Sequence, residues 1–112
     1  MRNTLIGFTL ALAASAAQAQ VPAHITQALA DKSRPAADVS RDAARKAGEI
    51  VALTEVKPGG KVADFVIGGG YFTRILASAV GPQGRVYAYQ PAEFIAFQKS
   101  YGENLKTVAG AY

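Results

Sequence analysis

The central part of the chain has a pattern of apolar and polar positions that predicts a strand, a tight turn and a helix. Residues 61–66 are a short run of strand formers, and glycines fill positions 68–70. Apolar side chains then recur at i, i+3, i+4, i+7 and i+8, which marks one face of a helix: Phe72, Ile75, Leu76, Ala79 and Val80. Gly81–Pro82 is a usual helix stop. The stretch predicts the first half of a βαβ unit.

A second strand is predicted at residues 85–89, after another glycine- and proline-containing turn. A strand, a helix and a second strand at this spacing give a parallel pair with a right-handed crossover. Pro91 suits the first turn of a further helix. We expect that helix to end at residues 102–104, and its buried side to consist largely of Phe94, Ile95 and Phe97.

The part of the chain before the first strand predicts one more helix. Ser40 is a plausible N-cap, and the helix should run to about Leu53. The residues expected on its apolar face are Ala43, Ala47, Ile50 and Val51. The opposite side carries Arg41, Asp42, Arg45 and Lys46. These charges either line a ligand pocket or form a solvated face with local ion pairs, and the spacing favours the solvated face.

The first 39 residues are divided into two segments. Residues 1–19 resemble a secretory signal peptide, with Arg2 before an apolar run and a small-x-small cleavage pattern that ends at Ala19. Cleavage there predicts a periplasmic or secreted protein without a stable membrane span; the alternative is an uncleaved anchor. Residues 20–39 form a less regular leader segment with a helical turn predicted from Ile25 to Ala30, and the lone His24 is expected at the surface.

Composition narrows the classes of function. The 112 residues offer at most one domain, and half of them are hydrophobic. The formal net charge is +4, but the basic residues are interspersed with acidic ones, so nucleic-acid binding is not indicated. The absence of cysteine excludes disulfides, zinc–thiolate sites and a cysteine nucleophile. No metal site is predicted.

Three features lie at fixed places in the predicted unit: Asp64 near the end of the first strand, the glycines in the turn, and Gln90 just past the second strand. In doubly wound nucleotide-binding folds, the residue after the second strand faces the ribose hydroxyls. The segments 62–74 and 80–88 resemble class I S-adenosylmethionine-dependent methyltransferases. Together with the signal peptide and the leader, they are similar to a group of exported, predicted bacterial methyltransferases.

The resemblance implies an α/β fold, a partial Rossmann-like doubly wound parallel sheet comprising the first two strands and their flanking helices. It implies S-adenosyl-L-methionine as the cofactor. Asp64 would contact the amino-acid end of that cofactor or orient the loop, and the loop would pass beneath the methionine and ribose parts. The cofactor-binding residues that it implies are Asp64, Gly68, Gly69, Gly70, Tyr71 and Gln90. Catalytic residues and the methyl acceptor remain unknown.

Two positions depart from the family pattern and bear on cofactor affinity. Val66 replaces the first loop glycine, so its side chain either blocks close approach or imposes another backbone conformation. Gln90 replaces an Asp or Glu with a weaker acceptor. The predicted unit also has only two strands, so we expect residues 40–112 to be a truncated half-domain with an exposed sheet edge and an uncovered apolar face.

Two other functions compete with the methyltransferase. A non-catalytic exported protein with a degenerate nucleotide-binding fold agrees with Val66, with Gln90 and with the short chain. An NAD-dependent oxidoreductase fragment is less favoured, because its G-x-G-x-x-G fingerprint requires glycine where Thr73 stands.

Overall fold

A computed structural model of the chain describes residues 20–112. The signal peptide predicted for residues 1–19 lies outside this part. The described elements are α1 (Ala23–Leu29), α2 (Ala36–Val39), α3 (Asp42–Arg45), α4 (Ala47–Leu53), β1 (Lys61–Phe65), α5 (Tyr71–Val80), β2 (Arg85–Tyr89), α6 (Ala92–Phe97) and α7 (Ser100–Ala111). They form a mixed α/β arrangement, a two-stranded parallel sheet flanked by helices.

The predicted strand–helix–strand unit is confirmed. β1 and β2 pair in parallel, with Lys61 opposite Arg85 and Phe65 opposite Tyr89. Five-residue strands alternate between two faces, and on one of these faces Val62 and Val86 pack against the core. The connecting helix α5 spans the predicted residues, and its Ile75 is fully buried.

Helix α1 belongs to the same core, although the sequence predicted only a helical turn in an irregular leader. Its side chains Ile25 and Ala28 are buried in one cluster with residues of α4 and α5. His24 is half-buried, and its Nε2 lies 2.8 Å from the carbonyl oxygen of Val56. The leader is therefore attached to the globular part through apolar packing and through this polar contact.

The prediction of a single helix from Ser40 to Leu53 is wrong, because the helix is interrupted at Lys46. Lys46 has a left-handed backbone (φ 49°) and separates α3 from α4, and Ser40 is the C-cap of α2. The break turns Gly48 towards α1, where an added Cβ would lie 3.1 Å from Leu29. It also leaves Ile50 exposed, although Ile50 was expected on the buried face.

The prediction for the C-terminal helix is also wrong in two respects. Helix α6 ends at Phe97, because the backbone of Gln98 is extended, and α7 runs through residues 102–104, which were expected to end a helix. Phe94 and Phe97 are exposed, Phe97 to 86%, although they were expected to be buried. Gly102 fits inside α7 because an added Cβ would approach Ile95 to 3.3 Å.

The second face of the sheet has no covering layer among residues 20–112. Phe65 is 71% exposed, and Tyr87 and Tyr89 are each about half exposed. The rings of Phe65 and Tyr89 stack across the two strands with their centroids 5.0 Å apart. We call these three aromatic residues the bare face. In this part of the chain, no helix is long and apolar enough to cross a bilayer.

Candidate functional site

The glycine turn, residues 66–70, connects the carboxyl end of β1 to the N-terminus of α5. Its backbone enters the left-handed region three times, at Val66 (φ 65°), Gly68 (φ 55°) and Gly70 (φ 80°). Glycine adopts this conformation without steric cost, which explains why the sequence has glycine at two of the three positions. Gly70 caps α5, and no side chain bonds to the first turn of that helix. The N–H groups of that turn have no acceptors within the helix.

Val66 is the strained residue of the turn. A β-branched residue with positive φ is a genuine outlier, and such a residue costs about 1–3 kcal/mol. The carbonyl oxygen of Tyr89 holds it in place by accepting hydrogen bonds from the N–H groups of Val66 (2.8 Å) and Ile67 (3.2 Å). Of the two effects expected from a side chain here, the structure therefore has the altered backbone conformation.

Side chains from three other elements fix the peptide groups of the turn. Gln90 Oε1 accepts a hydrogen bond from the Gly68 N–H at 2.9 Å. Asn104 Nδ2 donates to the Gly68 carbonyl at 3.4 Å, and Arg74 Nη1 donates to the Gly69 carbonyl at 3.0 Å. These bonds order the turn through side chains of the chain itself, so the turn has little further conformational freedom to lose when a ligand binds.

Gln90 therefore lies behind the turn. It is 5% exposed, its carbonyl oxygen is engaged by Gly68, and its Nε2 has no hydrogen-bond partner within residues 20–112. The structure does not bring it to the cavity that the other predicted residues line. Gly70 is also withdrawn, because it faces Val108 of α7 so closely that an added Cβ would clash with Cγ2 of that side chain.

A cavity of about 280 Å³, the turn pocket, opens beside the glycine turn. It is lined by Arg41 and Arg45, by Asp64 of β1, by residues 66–69 of the turn, and by Tyr71 and Phe72 of α5. Four residues predicted from the sequence meet here: Asp64, Gly68, Gly69 and Tyr71. Phe72 both lines the pocket and packs against the core, the latter as the apolar spacing predicted.

Asp64 lines this pocket, and one of its two carboxylate oxygens has a partner within the chain. Its Oδ2 accepts a hydrogen bond of 2.6 Å from the hydroxyl of Thr73, which is itself buried in α5. Its Oδ1 has no hydrogen-bond partner among the described residues. Thr73 therefore orients the carboxylate of Asp64, and the second oxygen of that carboxylate can accept a hydrogen bond from a ligand.

The leader and the segment around α3 contribute to a polar cluster that was not predicted from the sequence. We define the arginine–aspartate cluster as Arg34, Asp38, Arg41, Asp42, Tyr71 and Arg74. Arg34 makes a bidentate ion pair with Asp42, at 2.7 and 2.8 Å, and its side chain is fully buried. The Tyr71 hydroxyl donates to the same carboxylate at 2.6 Å. For Asp42, the spacing favoured a solvated face with local ion pairs over the wall of a pocket, and its bonds to the buried Arg34 and to Tyr71 contradict that preference.

These contacts shift the pKa values of the cluster. The hydrogen bonds from Arg34 hold the pKa of Asp42 below its usual value, against the effect of burial, and the Tyr71 hydroxyl adds to the lowering. Burial, followed by the hydrogen bond to Asp42, raises the pKa of Tyr71. Both shifts keep Asp42 ionised and Tyr71 protonated near neutral pH, which preserves the hydrogen bond between them.

Asp38 extends the cluster to the glycine turn. Its two oxygens accept hydrogen bonds from Arg41 Nη2 (2.7 Å) and Arg74 Nη1 (2.8 Å). The same Arg74 nitrogen bonds the Gly69 carbonyl. A continuous path of hydrogen bonds thus joins the leader segment to the turn. The only signal of it in the sequence is the alternation of acids and bases after Pro35, which is also typical of a solvated helix face.

A larger groove, of about 780 Å³, lies between α5, β2 and α7. None of the residues predicted for the site lines it. Since binding sites are recognised by converging polar groups as well as by volume, we take the smaller turn pocket as the candidate site. Within residues 20–112, no group of His, Asp or Glu is placed to hold a metal ion.

Comparison with known proteins adds no identity. A scan against protein families, a search of curated proteins and a search of solved structures each found no match to this chain.

Proposed function

We propose that the turn pocket binds S-adenosylmethionine and that the chain carries the cofactor-binding part of a methyltransferase. One observation carries the proposal: a carboxylate, Asp64, lines a single cavity with two arginines, Arg41 and Arg45, beside an ordered glycine turn. The amino-acid end of the cofactor carries an ammonium and a carboxylate group. A pocket that offers both signs of charge is complementary to it.

The position of the pocket supports the same proposal. In open α/β sheets, ligands bind beyond the carboxyl ends of the strands, and the pocket begins where β1 ends. We infer that the two strands are the first part of a Rossmann-like doubly wound sheet. Ligand pockets measure about 300–1,000 Å³, so a cavity of about 280 Å³ holds part of a nucleotide cofactor.

The chemistry asks little of the protein in acid–base terms. The cofactor supplies an activated methyl group, and the protein mainly positions donor and acceptor. In this chain, Asp64 would bind the ammonium group, and the turn would approach the methionine and ribose parts closely. We assign no catalytic base and no methyl acceptor. The signal-peptide pattern supports the further proposal that the protein acts in the periplasm or outside the cell.

Calorimetric titration of the full chain with S-adenosylhomocysteine tests the proposal. We expect binding, and we expect Asp64→Asn to weaken it about 10- to 100-fold, since hydrogen bonds to charged groups contribute about 1.5–3 kcal/mol. The asparagine keeps an oxygen for the Thr73 hydroxyl. Glu49→Gln, at an exposed position of α4, is the matched control and should bind like the unmodified chain.

Two other results would contradict the proposal. Binding of NAD without binding of S-adenosylhomocysteine would favour the oxidoreductase alternative. Binding of neither ligand would favour a non-catalytic protein that keeps the shape of a nucleotide-binding turn.

A further inference from the structure

We infer that Arg45, assisted by Arg41, forms a carboxylate-binding subsite in the turn pocket, and that Tyr71 positions it. This inference rests on the proposed function for the identity of the ligand. It deepens that function, because it assigns the recognition of the ligand carboxylate to Arg45 and a positioning role to Tyr71. The sequence had favoured a solvated face for these arginines.

Arg45 has an unusual environment for an arginine at the surface. Its Cζ lies 4.3 Å from the centre of the Tyr71 ring and 5.1 Å from that of Phe72. It makes no ion pair with any residue between 20 and 112. A guanidinium group that stacks on aromatic rings keeps its N–H donors in the plane of the group, where a carboxylate can accept two of them.

The charges around the pocket do not balance within the described residues. Four guanidinium groups approach Tyr71 or the turn: Arg34, Arg41, Arg45 and Arg74. Two carboxylates pair with three of them, because Asp42 pairs with Arg34 and Asp38 bridges Arg41 and Arg74. With Asp64 of the same pocket included, four guanidinium groups face three carboxylates, so one positive charge remains in excess, and Arg45 is the arginine without an ion pair among the described residues.

The sign and size of the pocket favour a carboxylate over a phosphate. Asp64 lines the same cavity, so a dianionic phosphate would be repelled by it, whereas an amino acid would satisfy Asp64 with its ammonium group. The small volume also suits this compact end of the cofactor. We therefore expect a zwitterionic α-amino-acid moiety between Asp64 and Arg45.

The aromatic rings of Tyr71 and Phe72, which lie against Arg45, are fixed by their own contacts. Tyr71 is 5% exposed, and its hydroxyl is bound by Asp42, which the buried Arg34 clamps in turn. The ring of Phe72 meets that of Tyr71 edge to face, with centroids 4.9 Å apart. Because these rings are already fixed, Arg45 needs little reorganisation to bind an anion. Tyr71 acts here as a positioning residue.

The decisive experiment compares three ligands on the unmodified full chain by calorimetry. Besides its sulfonium, S-adenosylmethionine carries an ammonium and a carboxylate group; its decarboxylated form keeps the sulfonium and the ammonium, and methylthioadenosine has none of the three. We expect the decarboxylated form to bind at least about tenfold more weakly than S-adenosylmethionine, the loss typical of one charge-assisted pair. This comparison needs no substitution, so it does not depend on the folding of a variant.

Substitutions then assign the effect to residues. Arg45→Gln should remove most of the preference for the carboxylate and leave the affinity for methylthioadenosine unchanged. Arg45→Lys should restore part of the preference, since it restores the charge without the planar fork. Arg85→Gln is the matched control, because Arg85 is exposed on β2 and does not line the turn pocket.

Each outcome is informative. Equal affinity for S-adenosylmethionine and its decarboxylated form would overturn the subsite and leave the proposed function standing. A carboxylate preference that survives in Arg45→Gln would overturn the assignment to this residue. Failure of all three ligands to bind would overturn the proposed function and the subsite together.

Discussion

The two faces of the sheet are built from the same ten strand residues and have different surroundings. On one face, Val62 and Val86 pack against a cluster that includes Ile75 of α5. On the other, the bare face presents Phe65, Tyr87 and Tyr89 to solvent in the described part of the chain. The first face is covered by α5, which packs in turn against α1 and α4, and the turn pocket opens at its end. On the second face, the rings of Phe65 and Tyr89 stack on each other.

This difference shows that the alternation of residues along a strand does not by itself determine whether a face of the sheet is covered. Alternation decides which residues share a face, and it does so on both sides of the sheet equally well. Covering a face requires a further element with its own apolar stripe, and within residues 20–112 α5 and its neighbours supply one to the first face. The covered side should therefore carry most of the free energy of folding, and the bare face should carry a tendency to associate.

The largest effect is expected from the ion pair that lies beside the covered side. Asp42→Ala leaves the buried guanidinium of Arg34 without its partner, and removing one member of a buried pair costs about 3–5 kcal/mol. Denaturant unfolding of the full chain measures this loss. The control is Glu49→Ala, an exposed residue of α4 whose removal should change stability by less than about 0.5 kcal/mol. Equal effects of the two substitutions would show that the cluster does not contribute to stability.

A somewhat smaller loss is expected in the core itself. Ile75 is fully buried under the sheet, and Ile75→Ala should destabilise by about 2–5 kcal/mol, because it removes buried methyl groups and leaves a cavity. Ile50→Ala makes the same chemical change at a residue that is 45% exposed and should cost much less. Thermal unfolding of both variants gives the comparison. A larger effect at Ile50 would mean that the sides of α4 are assigned incorrectly.

The ion pair also predicts how stability depends on pH. The pKa of Asp42 is lowered in the folded chain, chiefly by hydrogen bonds from Arg34. An Asp side chain in the unfolded chain has its ordinary pKa of about 4. Below that pH the unfolded chain binds a proton at Asp42 before the folded chain does, so stability falls as the pH falls. The stability difference between the unmodified chain and Asp42→Ala should therefore narrow below pH 4, as measured by unfolding across an acid series. A constant difference would contradict the assigned shift.

Some of these features were predictable from the sequence and others were not, for physical reasons. The spacing from Phe72 to Val80 and the glycines before it define β1, the turn and α5, because local periodicity determines them. The break at Lys46 was not predictable, since the apolar spacing from Ala43 to Val51 continues across it without interruption. The residues of the candidate site also include some that were predictable and some that were not. Asp64 and the turn follow from the motif, whereas Arg45 and Tyr71 meet only through tertiary packing.

The smallest effect on stability is expected from substitutions on the bare face, and they test the difference between the two faces of the sheet most directly. The double variant Phe65→Thr, Tyr89→Thr replaces two aromatic strand formers with β-branched ones and removes a stacked pair worth about 0.5–1.5 kcal/mol beyond its buried area. We therefore expect a modest loss of stability together with reduced self-association, measured by analytical ultracentrifugation over a range of concentrations. The matched substitution Val62→Thr, on the covered face, should destabilise without reducing association. If the double variant instead lost as much stability as Ile75→Ala, the aromatic residues would be covered in solution, and the two faces would differ less than the structure indicates.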